Sequence, residues 1–82
     1  METDRLTATV ARVLKTAPVS VRAIAKRAGV SHVLLSLIVS GARRATVSVA
    51  LAVAAALEQV GAASDEGAQL IRAAVKAGRR KP

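Results

Sequence analysis

The side chains able to do chemistry are few and one-sided. Among 82 residues there are 13 Lys and Arg, 5 Asp and Glu, 1 His and no Cys. Without Cys there is no thiol nucleophile, no disulfide framework and no thiolate metal site. His32 alone cannot make a two-His metal site, and the scattered acids offer little for general acid–base work. The chemistry left is ionic. The acids all lie near the ends, at Glu2, Asp4, Glu58, Asp65 and Glu66. From Arg5 to Leu57 there is no acid, while bases stand at Arg5, Arg12, Lys15, Arg22, Lys26, Arg27, Arg43 and Arg44. A folded segment this one-sided repels itself, and a polyanion would neutralise it. The chain has no Trp, Tyr or Phe, so the stacking platforms of single-strand and many RNA readers are missing.

The elements that must position these residues read as helices in one small domain. An apolar fraction of 52% argues against a disordered basic tail. Glu2 and Asp4 stand where a secretory leader would be basic. The apolar stretch Val47 to Val60 contains Ser48, Glu58 and Gln59. It falls short of the ~20 apolar residues a membrane span needs and reads as a buried helix. Leu6, Val10, Val13, Leu14 and Ala17 recur at helical spacing after a cap at Thr3 or Asp4, and Pro18 closes that first helix. Ser20 caps a second, Val21 to Ala28, with Val19 and Ile24 placed as a hydrophobic staple. Gly29 suits the left-handed end of the second helix. Ser31 caps a third helix, about His32 to Ser40, ended by Gly41. Thr46 caps a fourth, Val47 to Val60, ended by Gly61. Ser64 is the expected cap of a fifth, about Asp65 to Ala77. Gly67 falls inside that helix and weakens its start. Alanine, at 19 of 82 residues, favours helix and close helix–helix approach but contributes little burial per residue.

One segment, Val21 to Ser40, carries a constellation. Two short helices crossing steeply around a tight turn need a small residue at the crossing, a glycine in the turn and apolar residues facing inward. Ala25 is the small residue and Gly29 follows four later. Ile24, Ala28, Val30, Leu35 and Ile38 occupy the apolar positions. The run IAKRAGVSHVLLSLIVSG resembles the lambda-repressor-like (Cro/cI-type, XRE) helix-turn-helix family pattern A-x-x-x-G-V-S-x-x-x-[LV]-S-x-[IV]-x-x-G. It also has a local likeness to the lac-repressor headpiece. The resemblance continues through Arg43 and Arg44 into TVSVALAVAAAL, similar to the family's fourth helix, and covers about Leu6 to Leu57.

The resemblance implies an all-α, lambda-repressor-like fold, five helices in this chain, with the DNA-binding domain over residues 1–61 and the helix-turn-helix at about 21–40; the family does not fix the fifth helix. It makes residues 31–40 a recognition helix lying in the major groove of double-stranded DNA. His32, Val33, Ser36, Leu37 and Ser40 are then the candidates for base edges. His32 would donate to a guanine acceptor, and Ser36 would donate or accept. Val33 and Leu37 would touch only thymine methyls. Phosphate candidates are Ser20, Arg22, Lys26, Ser31, Arg43 and Arg44, with Lys26 and also Arg27 weaker than the others. Ser31 would use its hydroxyl as a cap and offer backbone N–H groups to a phosphate. Many members of the family carry Gln, Asn or Arg at the positions of Val33 and Leu37. Here no residue on that face can make a bidentate base contact.

A domain this small without aromatics or disulfides has a thin core. Residues 62–78, with Leu70, Ile71, Ala74 and Val75 on one stripe, are expected to dimerise together with Leu57 and Val60. Folding back to complete the monomer core is the alternative. Residues 79–82 form a basic tail, with Arg79, Arg80 and Lys81. The expectation is a cytoplasmic, nucleoid-associated homodimeric repressor on a palindromic operator, without cofactor, metal, membrane or catalytic activity. The alternative is an architectural or protein-interaction module that binds DNA through charge alone.

Overall fold

Five helices follow one another in the computed structural model, which describes residues 4–79 and only the backbone at 62–64 and 79. They are α1 (Arg5–Thr16), α2 (Val21–Ala28), α3 (His32–Ser40), α4 (Val47–Val60) and α5 (Ala62–Arg79). No strand occurs among the described residues. The chain therefore has the expected all-α class.

The helix starts follow from short polar side chains. Asp4 Oδ1 accepts the Thr7 N–H at 2.8 Å, and Ser20 Oγ accepts that of Ala23 at 3.1 Å. Ser31 Oγ accepts from Val33 N–H at 3.1 Å and Leu34 N–H at 3.5 Å, and Thr46 Oγ1 from Val49 N–H at 3.2 Å. Each satisfies an otherwise orphaned donor, an effect of about 1 kcal/mol. Thr3, the other candidate first cap, lies outside the described residues. The ends of α2 and α3 turn through Gly29 and Gly41 at φ 73° and 86°. Beyond them, Val30 N–H reaches Ala25 O at 3.1 Å and Ala42 N–H reaches Leu37 O at 2.9 Å, closing the same terminal motif twice.

Helix α5 departs from expectation. It begins at Ala62, immediately after Gly61, so Ser64 lies within its first turn rather than capping it. Ala62 and Ala63 are strong helix formers and extend the helix toward its N-terminus. At the other end α5 continues past Ala77 to Arg79.

Helix α4 packs on α5, α2 and α1, while α1 also packs on α5 and α3. Val10, Leu14, Ile24, Leu35, Ile38, Val53, Leu57 and Ile71 meet in one core. In the absence of aromatics the largest of these are Ile and Leu, each contributing about 1.5–3 kcal/mol on burial. Ala25, Ala50, Ala54 and Ala68 are also buried there and let helices approach closely. The expected dimer stripe is corrected by this packing. Leu57, Ile71, Ala74 and Val75 are buried within the single chain. Of the remaining two candidates, Val60 is half-buried and Leu70 is 52% exposed. Helix α5 folds back along α4 and α1, where Ala68, Ile71 and Val75 join the core.

Candidate nucleic-acid interface

The turn between α2 and α3 is three residues long, Gly29 to Ser31. Gly29 supplies the left-handed bend, half-buried Val30 packs against the core, and Ser31 starts α3. Leu35 and Ile38 point into the core and fix the rotation of α3. Ile24 and Ala25 do the same for α2. What remains outward on α3 is then determined: His32, Val33, Ser36 and Ser40 are exposed. Val33 is 55% exposed, the most exposed of the large apolar side chains among the described residues. Leu37 is half-buried and so sits at the edge of this face rather than on it. The Ser40 hydroxyl donates to Leu37 O at 3.0 Å, leaving it able only to accept. Ser20 and Ser31 are exposed, and both hydroxyls serve as caps.

The phosphate candidates are all on the surface. Arg22 in the first turn of α2, Lys26 and Arg27 in its last turn, and Arg43 and Arg44 after α3 are exposed. Helices α1 to α4 carry no acid in their first turns. The Asp4 carboxylate already caps α1, whereas α2, α3 and α4 start on neutral Ser or Thr caps, so their positive ends carry no acidic compensation, the condition that favours an incoming anion. A shallow groove between α1 and the end of α3 adds Arg12 and Lys15 beside Ser40 and Gly41. Arg80 and Lys81, the expected arm, lie outside the described residues.

Two ion pairs form among the described residues. Arg72 grips Glu58 with two bonds, at 3.1 and 2.8 Å, tying α5 to α4. Arg44 Nε donates to Asp4 Oδ2 at 2.8 Å. The second pair joins the start of α1 to the loop after α3, and reading the sequence missed it. Thr7 lies beneath it, 1% exposed, and its Oγ1 accepts the Ala45 N–H at 2.8 Å. A signal for this existed: Thr7 shares the helical stripe of Val10 and Leu14, and a polar group on such a stripe needs a partner.

Among the described residues no three His, Cys, Asp or Glu side chains come together, and no helix is long and apolar enough to cross a membrane. Compared with protein families, curated proteins and solved structures, the chain matches none.

Proposed function

We propose that the chain is a non-enzymatic, sequence-specific double-stranded DNA-binding regulator with a lambda-repressor-like helix-turn-helix, α3 being its recognition helix. The observation that carries this reading is the surface of α2 and α3. One short helix exposes His32, Val33 and Ser36, with Arg22 on the helix before it and Arg43 and Arg44 on the loop after it. An acid-free run from Arg5 to Leu57 surrounds them. Bases of this kind fix a protein on the phosphate backbone, while the groove-facing side chains discriminate. With no bidentate reader on α3, His32, Ser36 and thymine-methyl contact by Val33 supply direct reading, supplemented by DNA shape. Repression by occupancy of a promoter, as a homodimer on a palindromic operator in the cytoplasm, completes the proposal.

The exposed Val33 favours a second reading. An apolar residue on the outer face of α3 also suits a protein contact, with DNA held through charge alone.

Selection of bound sequences from a random double-stranded pool at near-physiological salt separates the two. A palindrome with half-sites about one helical turn apart, ~34 Å, is the expected result. Recovery of nothing above background, with binding that vanishes as salt rises, would overturn sequence-specific reading. Replacing Arg43 with Ala is expected to weaken binding to all duplexes alike and lower the salt slope by about one.

A further inference from the structure

We infer that Asp4 is a positioning residue for Arg44, presenting its guanidinium to a DNA phosphate from a loop anchored by Thr7. This rests on the DNA-binding reading above. Backbone bonds from Ala42 and Arg43 to Leu37 O shape the start of the loop between α3 and α4, and side chains of the α1 start hold its later residues. Ala45 is buried, and its N–H donates to Thr7 Oγ1 at 2.8 Å. The Thr7 hydroxyl in turn donates to Asp4 Oδ2 at 3.0 Å. The same Oδ2 accepts Arg44 Nε at 2.8 Å, while Oδ1 accepts the Thr7 N–H at 2.8 Å. One carboxylate and one hydroxyl thus bind the loop at two adjacent residues, Arg44 and Ala45.

Arg44 is held only through Nε. Its two terminal amino groups have no partner among the described residues, and its side chain is 84% exposed. A guanidinium gripped at Nε keeps its outer donors in a fixed plane, the geometry that suits a phosphate. Arg43, one residue earlier, is exposed and has no such grip among the described residues. An exposed ion pair contributes little to stability. Its effect is instead to reduce the side-chain freedom lost when the phosphate is bound.

Positioning and plain charge predict opposite signs, which makes the test sharp. Removing the negative charge of Asp4 should tighten binding to a polyanion if charge alone matters. The experiment measures duplex affinity of wild type and Asp4→Asn, each also in an Arg44→Ala background, using the selected duplex at one salt concentration. Asn retains the capping role. The expected result is a loss of about threefold to tenfold for Asp4→Asn, the range set by ordering one long side chain. That loss should disappear in the Arg44→Ala background. Thr7→Ser, which keeps the hydroxyl, should bind as wild type, and Thr7→Val should bind more weakly. Unchanged or tighter binding by Asp4→Asn overturns the inference, as does a loss that persists without Arg44. Should Asp4→Asn fail to fold, Arg44→Lys serves instead. It keeps the charge without the Nε fork and is expected to lose more affinity than Arg43→Lys; equal losses overturn the inference. Wild type that binds no duplex at all overturns the DNA reading itself, and this inference with it.

Discussion

At Asp4 a single carboxylate starts a helix and restrains a loop forty residues away. Its environment leaves a thermodynamic signature. The Thr7 backbone N–H first, and the Arg44 side chain second, hold its carboxyl below the usual carboxylate range. Glu58 is lowered in the same direction, chiefly by its hydrogen bonds from Arg72. For a carboxylate whose folded pKa lies below its unfolded one, the unfolded chain takes up protons first as pH falls. The stabilisation is complete above the unfolded value, near pH 4, and is lost as pH falls through the folded value. Wild type should therefore lose stability on acidification below about pH 4, and Asp4→Asn should lose less over that interval. Denaturant melts at pH 5 and pH 3 check this. Equal losses in the two proteins would show that Asp4 is not one of the groups responsible.

Between elements, the informative contact is that of α1 with α5. A glycine within a helix destabilises it by about 1 kcal/mol relative to alanine. On that ground Gly67 reads as a defect. The packing gives it a reason: a Cβ at Gly67 would stand 2.8 Å from Val13 Cγ1 and 3.7 Å from Leu57 Cδ1. Val13 is buried and β-branched, so it cannot swing aside. The glycine lets α5 lie close against α1. Gly67→Ala should accordingly destabilise the protein by about 1 kcal/mol, because overpacking exceeds the gain in helix propensity. Thermal unfolding followed by circular dichroism gives the sign, and a more stable variant would refute the close approach. The caps at Ser20, Ser31 and Thr46 and the turns at Gly29 and Gly41 were legible because they act within a few residues. Gly67 was not, because its neighbour Val13 lies fifty-four positions earlier in the chain.

For the molecule as a whole, the placement of α5 decides what the chain can do alone. Its extents of 35 × 25 × 20 Å make one copy about as long as one turn of duplex, ~34 Å. On the proposed DNA-binding reading, two recognition helices one turn apart require two copies side by side. The stripe of Ile71, Ala74 and Val75 is buried within one chain and is not available to join such copies. Ile71→Ala should cost about 2–5 kcal/mol of folding stability, by the same amount at low and high protein concentration. Leu70→Glu, at an exposed position, should leave stability nearly unchanged. Melts at two concentrations distinguish these outcomes. A loss for Ile71→Ala that shrinks as protein is diluted would return Ile71 to an interface between copies.

The order of helices, the caps of α1 to α4 and most of the α3 face were written in the sequence, whereas the start of α5 was not. Local hydrogen bonds and the 3.6-residue period depend on neighbours in the chain. The inward positions Ile24, Leu35 and Ile38 followed from that period, and so did the outward His32, Val33 and Ser36. Leu37 fell between the two faces, where period alone does not assign exposure. Whether the stripe of Ile71 and Val75 would meet another copy or its own chain was a different matter. Either partner would bury apolar area, and only the tertiary structure, in which Val13 and Leu57 lie against Gly67 of α5 and Ile71 and Val75 join the core, made that choice. The Asp4–Thr7–Ala45 link belongs to the same class. Its hydrogen bonds are short, but the fold must first bring the start of α1 beneath the loop that carries Arg44.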